Sequence, residues 1–341
     1  MTGPLPRIGL RLHGVLTARQ CVELAVAADR SGFSTAWFAE NAFARGVLPA
    51  AAACAVATRR LQIGAGVFNP FSRHPTMMAM EIGALDELSD GRAMLGIGAG
   101  IGSSVQKIGW SPDKPLVAVR DTLAILLPLL RGEQVSYVGK SFSAQDVKLN
   151  YAPRAGIPIY VAGRGDLTLK LTGESAAGLL ISNMCSMEFA RRSALRVMES
   201  RKAAGRSGEA GIVQYMPCAV HRDRAEAQRI GKRAVGEMIP NYWGLSRKIA
   251  SAREALFTGT DISEAEFESA AHRIKSGEDA AEFLDEKFTH AFSLTGTPEE
   301  CLGRAADYAA AGVSELALTF DAASAPADIA LLGDALNHQL R

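Results

Sequence analysis

What most constrains this chain is a repeated alternation of short apolar runs with longer stretches of helical spacing. Runs at 7–12 (RIGLRL), 34–39 (STAWFA), 61–67 (LQIGAGV) and 93–98 (AMLGIG) are separated by segments 18–31, 47–58 and 74–89, and the fourth leads to 115–131. Segment 18–31 carries Ala, Val and Leu at helical spacing, and the others read as helices in the same positions of the repeat. The order resumes with runs 157–162, 178–182 and 212–220 and the helical stretches 167–175, 187–204 and 223–238. Helix 298–311, strand 314–320 and helix 327–339 complete it. Eight strand candidates in one β-then-α order predict a parallel α/β architecture. With no break in composition, 1–341 reads as a single domain closed into a (β/α)8 TIM barrel rather than an open doubly wound sheet.

Two segments depart from the repeat. Segment 133–149 alternates polar and apolar residues around Gly139-Lys140, which predicts a β-hairpin insertion. Segment 240–291 is charged, helix-prone and interrupted at Gly244, Gly259 and Gly277. It is expected as a mostly helical insertion after the seventh strand, near the barrel mouth. Only 6% of residues are aromatic although 48% are hydrophobic, so the core must be filled mainly by Ala, Val, Leu and Ile, as helices packed on a parallel sheet require.

Charge and cysteine usage narrow the partners. Basic residues number 37 against 36 acidic ones, which gives no electrostatic case for nucleic acid or an anionic membrane surface. The five cysteines are scattered without a C-x-x-C, so neither a disulfide framework nor a metal site is expected, and a reducing compartment fits. The N-terminal MTGPLPRIGL lacks the pattern of a secretory signal. No apolar run approaches the roughly 20 residues of a membrane helix. The expectation is a cytoplasmic protein with a small-molecule substrate.

In a parallel barrel the active site is built from loops after the C-terminal strand ends. Here those loops begin Glu40-Asn41 after strand two and Gly66-Val67-Phe68-Asn69 after strand three. They continue with Gly98-Ala99-Gly100 after strand four, Ala162-Gly163-Arg164-Gly165 after strand five, and Ser182-Asn183 after strand six. Small residues on successive strand ends let backbone approach a flat ligand and leave amides free for a phosphate. Gly163-Arg164-Gly165, with Thr168 on the next helix, is the best phosphate candidate, since helix N-terminal amides and a guanidinium both favour anions. No Walker loop occurs, and the run from Gly96 to Gly102 places Ser103 where a dinucleotide fingerprint needs its third glycine or alanine. Candidate proton-handling or substrate residues are Glu40, Asn41 and His13, the last just beyond strand one. His74, before Pro75, is explained by helix capping, and Arg73 by a cofactor tail or a neighbouring carboxylate.

These same residues resemble the luciferase-like monooxygenase superfamily, in particular its coenzyme F420-dependent branch, which includes methylenetetrahydromethanopterin reductase. The resembling segments are 64–75 (GAGVFNPFSRHP), 85–92 (LDELSDGR), 95–100 (LGIGAG), 158–165 (PIYVAGRG), 173–178 (GESAAG) and 296–300 (GTPEE). The resemblance implies a bacterial-luciferase-like barrel, a cofactor across its C-terminal mouth, and often a homodimer. It also implies a non-prolyl cis peptide ending strand three, at Gly66-Val67, behind the cofactor ring. The cofactor phosphate would lie on Gly163-Arg164-Gly165 and Thr168. Where many F420-dependent relatives carry an acid–histidine pair after strand two, this chain has Glu40-Asn41; Glu can titrate and Asn cannot. The resulting expectation is an oxidoreductase exchanging hydride between coenzyme F420 and a small organic substrate. Its alternatives are an FMN-dependent monooxygenase served by a flavin reductase, and a cofactor-binding barrel without catalysis.

Overall fold

A computed structural model describes residues 3–100, 102–110 and 113–339, with only the backbone of Ser103. Ile101 in the glycine-rich loop, the side chain of Ser103, and Met1-Thr2 of the N-terminal segment therefore lie outside the described residues.

Eleven strands form among the described residues: β1 (Arg7–His13), β2 (Thr35–Ala39), β3 (Gln62–Phe68), β4 (Ala93–Ile97), β5 (Val135–Val138), β6 (Ser143–Val147), β7 (Ile159–Ala162), β8 (Gly178–Ile181), β9 (Gly211–Val220), β10 (Leu294–Gly296) and β11 (Glu315–Thr319). Eight of them, in the order β1-β2-β3-β4-β7-β8-β9-β11, pair in parallel, and β11 pairs back onto β1. These eight strands therefore close into a barrel. The short β10, which the apolar-run pattern did not predict, extends the ladder at the far end of β9 through Leu294↔Cys218 to Gly296↔Val220. Three residues carry too little periodicity to stand out from the helices around them. The six-residue helix Gly102–Lys107 was likewise unforeseen.

Side-chain parity divides the barrel into two cores. In β1, Ile8, Leu10 and Leu12 pack outward under the helices, which leaves Gly9, Arg11 and His13 on the barrel axis. The axis is filled by Trp37, Met94, Tyr160, Leu180, Val213, Tyr215 and Ala317. Trp37 stands edge-on to Tyr160, with ring centres 5.3 Å apart. At the floor, Glu315 is fully buried and accepts from Thr35 Oγ1 and Trp37 Nε1, both at 2.6 Å, and pairs with Arg7 at 2.8 Å. Burial pushes its carboxyl above the usual range, with Arg7 and the two hydrogen bonds opposing.

Two of the resembling segments have structural work. Arg92 threads under the helix ends, donating to Ser89 O at 2.6 Å, Leu61 O at 2.7 Å and Ala55 O at 2.7 Å, while Asp86 accepts from Ala93 N and pairs with Arg154. Thr297 and Glu300 form a reciprocal capping box that starts helix Pro298–Ala310. Strands β5 and β6 pair antiparallel. Residues 239–292 fold into five helices with an apolar cluster of their own, centred on Phe267 and including Met184 beyond β8. They are tied to that loop by Ser186 N donating to Ala255 O and Ser186 Oγ to Thr258 O. No helix among the described residues is long and apolar enough to cross a membrane.

Candidate functional site

The loops expected to converge do so because β3, β4 and β7 are consecutive neighbours in the sheet and parallel. The β3–β4 register shifts between Ala65 and Phe68, and inside this bulge the Gly66-Val67 peptide is cis, where the resemblance placed it. The bulge turns Val67 to the axis. Phe68 turns the other way and is wholly buried in the helix-facing core, so only its backbone reaches the rim, where its carbonyl accepts from Gly98 N at 3.1 Å. Asn69 stitches the two loops together: Nδ2 donates to Ala99 O at 2.9 Å, and Oδ1 accepts from Phe71 N at 3.0 Å. Gly100 has φ +64, a left-handed conformation that favours glycine. A methyl on Gly98 would lie 3.1 Å from the Ala162 Cβ, which brings the β4 and β7 ends side by side.

At the next loop, Gly165 caps helix Asp166–Ser175 with no side-chain hydrogen bond; Thr168 N turns back to Gly165 O at 2.8 Å, which leaves the amides before it for a ligand. Space beside Gly165 is open, while Gly163 is backed by the Thr168 side chain. Arg164 does not reach outward as a free phosphate clamp. Its Nη2 bonds Ser182 Oγ and also Asn183 O at 3.3 Å, Nε approaches Cys185 Sγ at 3.4 Å, and the guanidinium lies 5.5 Å from the Tyr242 ring centre. Arg164 and Ser182, both expected at the site, are thus joined directly.

Across the mouth, His13 ends β1 opposite Ala39, so it neighbours Glu40 at the end of β2. Burial, with a smaller push from Arg11, holds its imidazole below the usual range. Glu40 is partly exposed and pairs with Arg73 Nη1 at 3.1 Å; Arg73 Nε holds Glu81 at 2.7 Å, and its guanidinium stacks 3.9 Å above Phe68. Burial raises the Glu81 carboxyl, Arg73 opposes that, and Glu40 adds to it. Asn41 is exposed, its carbonyl accepting from Ala44 N in a turn. His74 caps helix Pro75–Leu88 by accepting from Thr76 N.

Sequence reasoning missed several polar groups here. Arg11 Nε, Tyr215 OH and Asn183 Oδ1 are buried without a hydrogen-bond partner. A signal for Arg11 existed: in RIGLRLH every second residue is apolar, and the intervening ones share the axis. No cluster of three or more potential metal ligands occurs among the described residues.

Residues 5–315 match the family model described as luciferase-like monooxygenase. The chain belongs to the luciferase-like monooxygenase family. It is 30% identical over 303 residues to 5,10-methylenetetrahydromethanopterin reductase of Archaeoglobus fulgidus, covering 85% of this chain and 86% of that one. Among solved structures it is similar to the coenzyme F420-dependent tetrahydromethanopterin reductase of Methanopyrus kandleri, with a TM-score of 0.79, 23% identity and coverage of 99% and 100%. It is also similar in fold to the FMN-bound oxygenating constituent of 3,6-diketocamphane monooxygenase from Pseudomonas putida, with a TM-score of 0.74, 19% identity and coverage of 97% and 98%. The glycine-lined rim of this luciferase-like chain lies at the C-terminal mouth, where parallel barrels place their sites.

Proposed function

We propose that this protein is an F420-dependent oxidoreductase that exchanges a hydride with a small organic substrate bound over the mouth. The observation that carries the reading is one continuous rim: the Gly66-Val67 peptide, Gly98 to Gly100 and the uncapped helix at Gly165, on three adjacent strands. The residues present fit a flat ring with a phosphorylated tail. Val67, Gly98 and Ala162 offer a small-residue shelf, Asn69 and Ala99 fix its edge, and Ser182 with Arg164 closes the tail end. When bound, the deazaflavin supplies the hydride chemistry, as cofactors do in enzymes of this kind. The chain's part is to hold ring and substrate face to face and to move one proton. Glu40 is assigned to that proton, His13 and Asn41 to the substrate side, and the amides at Gly165 and Asp166, with Thr168 behind Gly163, to the phosphate.

Titrating the purified protein with F420 and with FMN tests the cofactor. F420 is expected to quench in a saturable titration with a Kd at least about tenfold below that of FMN, a difference of about 1.4 kcal/mol. Binding of FMN at micromolar Kd or tighter with none of F420 would replace this reading by the monooxygenase.

The whole chain is taken as one barrel domain, with the hairpin 133–149 as a surface insertion and the helices of 240–291 as the roof at the β8 side of the mouth. A homodimer is supported by exposed apolar side chains on two helices that pack together, Met77, Met80 and Leu88 on one and Val56 on the other. Light scattering after gel filtration is expected to give twice the chain mass; a monomer at micromolar concentration would remove this part. Five free cysteines suit the cytoplasm, which cell fractionation would check.

A further inference from the structure

Arg11 is a cation carried on the axis of a closed barrel. Its Nη1 donates to Thr319 Oγ1 at 3.1 Å, its guanidinium lies 5.1 Å from the centre of the Tyr215 ring, and its Nε is buried without a partner. No carboxylate among the described residues pairs with it. Glu315 is held at the floor by Arg7, Thr35 and Trp37, and Glu40 and Glu81 share Arg73. Burial lowers the Arg11 guanidinium from its ordinary range and raises the Tyr215 phenol, which therefore supplies no counter-charge. Arg11 as a whole is half-buried, but a guanidinium whose Nε is sealed off with no anion beside it is unfavourable unless something else compensates it.

Its position shows what could. The Tyr215 hydroxyl lies against Gly66, 2.5 Å from where a Cβ would be, so a single phenol separates Arg11 from the Gly66-Val67 shelf. Tyr242, from the first inserted helix, comes near both Arg11 and Arg164. The Nε–Nη2 edge of Arg11 has no protein acceptor. That edge is the fork that matches the two oxygens of a carboxylate.

We propose that Arg11 anchors an oxyanion of the substrate, so that the compound reacting over the shelf is a small organic acid. This rests on the function proposed above and narrows its substrate class. The same fork could instead serve an anionic edge of the cofactor ring, and the test separates the two sources.

Wild type, Arg11→Met and Arg11→Lys are compared in three measurements. Apo proteins are melted; each is titrated calorimetrically with acetate, pyruvate and benzoate at constant ionic strength against a chloride control; each is titrated with F420 by fluorescence. Arg11→Met is expected to melt no lower than wild type, since it removes an uncompensated charge and keeps most of the volume. Wild type is expected to bind at least one carboxylate with millimolar Kd or tighter, and Arg11→Met about tenfold or more weakly, the scale of a lost charge-assisted pair. Lysine, with the charge but not the fork, falls between them. F420 affinity stays within about twofold throughout. The proposal is overturned if wild type binds none of the three acids above chloride, or if Arg11→Met binds them equally. It is also overturned if Arg11→Met melts well below wild type, which makes the residue structural. Loss of F420 in Arg11→Met with acid binding intact would give the fork to the cofactor instead. If wild type itself fails to bind F420, the cofactor reading fails while the acid titrations still judge Arg11.

Discussion

Replacing Glu40 by glutamine is expected to lower turnover by about 100-fold or more while F420 binding changes by no more than about twofold. The carboxylate follows β2 directly, beside the end of β1 and its His13. It is partly open to the mouth, with its side chain 21% exposed. Glutamine keeps the shape and can still accept from Arg73, but it cannot carry a proton to or from the substrate. The variant should fold, because Arg73 remains anchored by Glu81 at 2.7 Å and by the Phe68 ring beneath it. Two carboxylates sharing one guanidinium interact, and part of the rise in the Glu81 carboxyl comes from the charge on Glu40. Removing that charge should therefore move the Glu81 titration down, a shift that carbon-labelled carboxyl NMR can follow. The assay is cofactor reoxidation with whichever ketone, enone or imine supports wild-type turnover. Unchanged turnover in Glu40→Gln would leave Glu40 as a tether for Arg73 and nothing more. Absence of turnover in the wild type with any electron acceptor would favour the barrel that binds cofactor without catalysis.

The barrel was legible in the sequence because its units obey a local rule, an apolar run followed by a helical stretch, and local rules survive without tertiary knowledge. The rim was legible for a related reason: parallel strands in chain order put the loops after β3 and β4 side by side, and the glycines at 64–66 and 96–100 already marked close approach. Pairings between distant side chains were not. Glu40 and Arg73 are 33 residues apart, and nothing local links them. Arg164 was read as facing a ligand because a guanidinium after a strand end often does. The fold instead places Ser182, Asn183 and Cys185 of the next loop within its reach, and it turns inward. The axial set of Arg11, Tyr215 and Glu315 was hidden by treating strands as apolar runs. Parity within the run, as in RIGLRLH, separates the residues under the helices from those on the axis.

That parity gives the second large effect, at Gly64. Gly64→Val is expected to leave little soluble, folded protein. Gly64 lies on the axial face of β3, where even a single Cβ would come within 2.3 Å of Trp37 Cε3 and 2.6 Å of its Cδ2. The indole has nowhere to go. It is fully buried, its Nε1 is bonded to Glu315 at 2.6 Å, and the Tyr160 and Tyr215 rings stand 5.3 and 6.3 Å away. Overpacking a core by a few methyl-sized groups costs about 1–3 kcal/mol, and pushing the indole off Glu315 would strip a buried carboxyl of a donor for about 1–3 kcal/mol more. Together these approach a total stability of about 5–15 kcal/mol. Gly165→Ala is the contrasting control: its backbone is ordinary extended, with φ −80, and an added methyl meets nothing within 4 Å. It should melt like wild type, yet bind F420 more weakly if the methyl intrudes on the phosphate. Soluble yield and thermal melting of both variants decide the matter. A Gly64→Val protein that melted at the wild-type temperature would mean that Trp37 can yield, and a rigid interior beneath the Gly66-Val67 shelf could no longer be maintained.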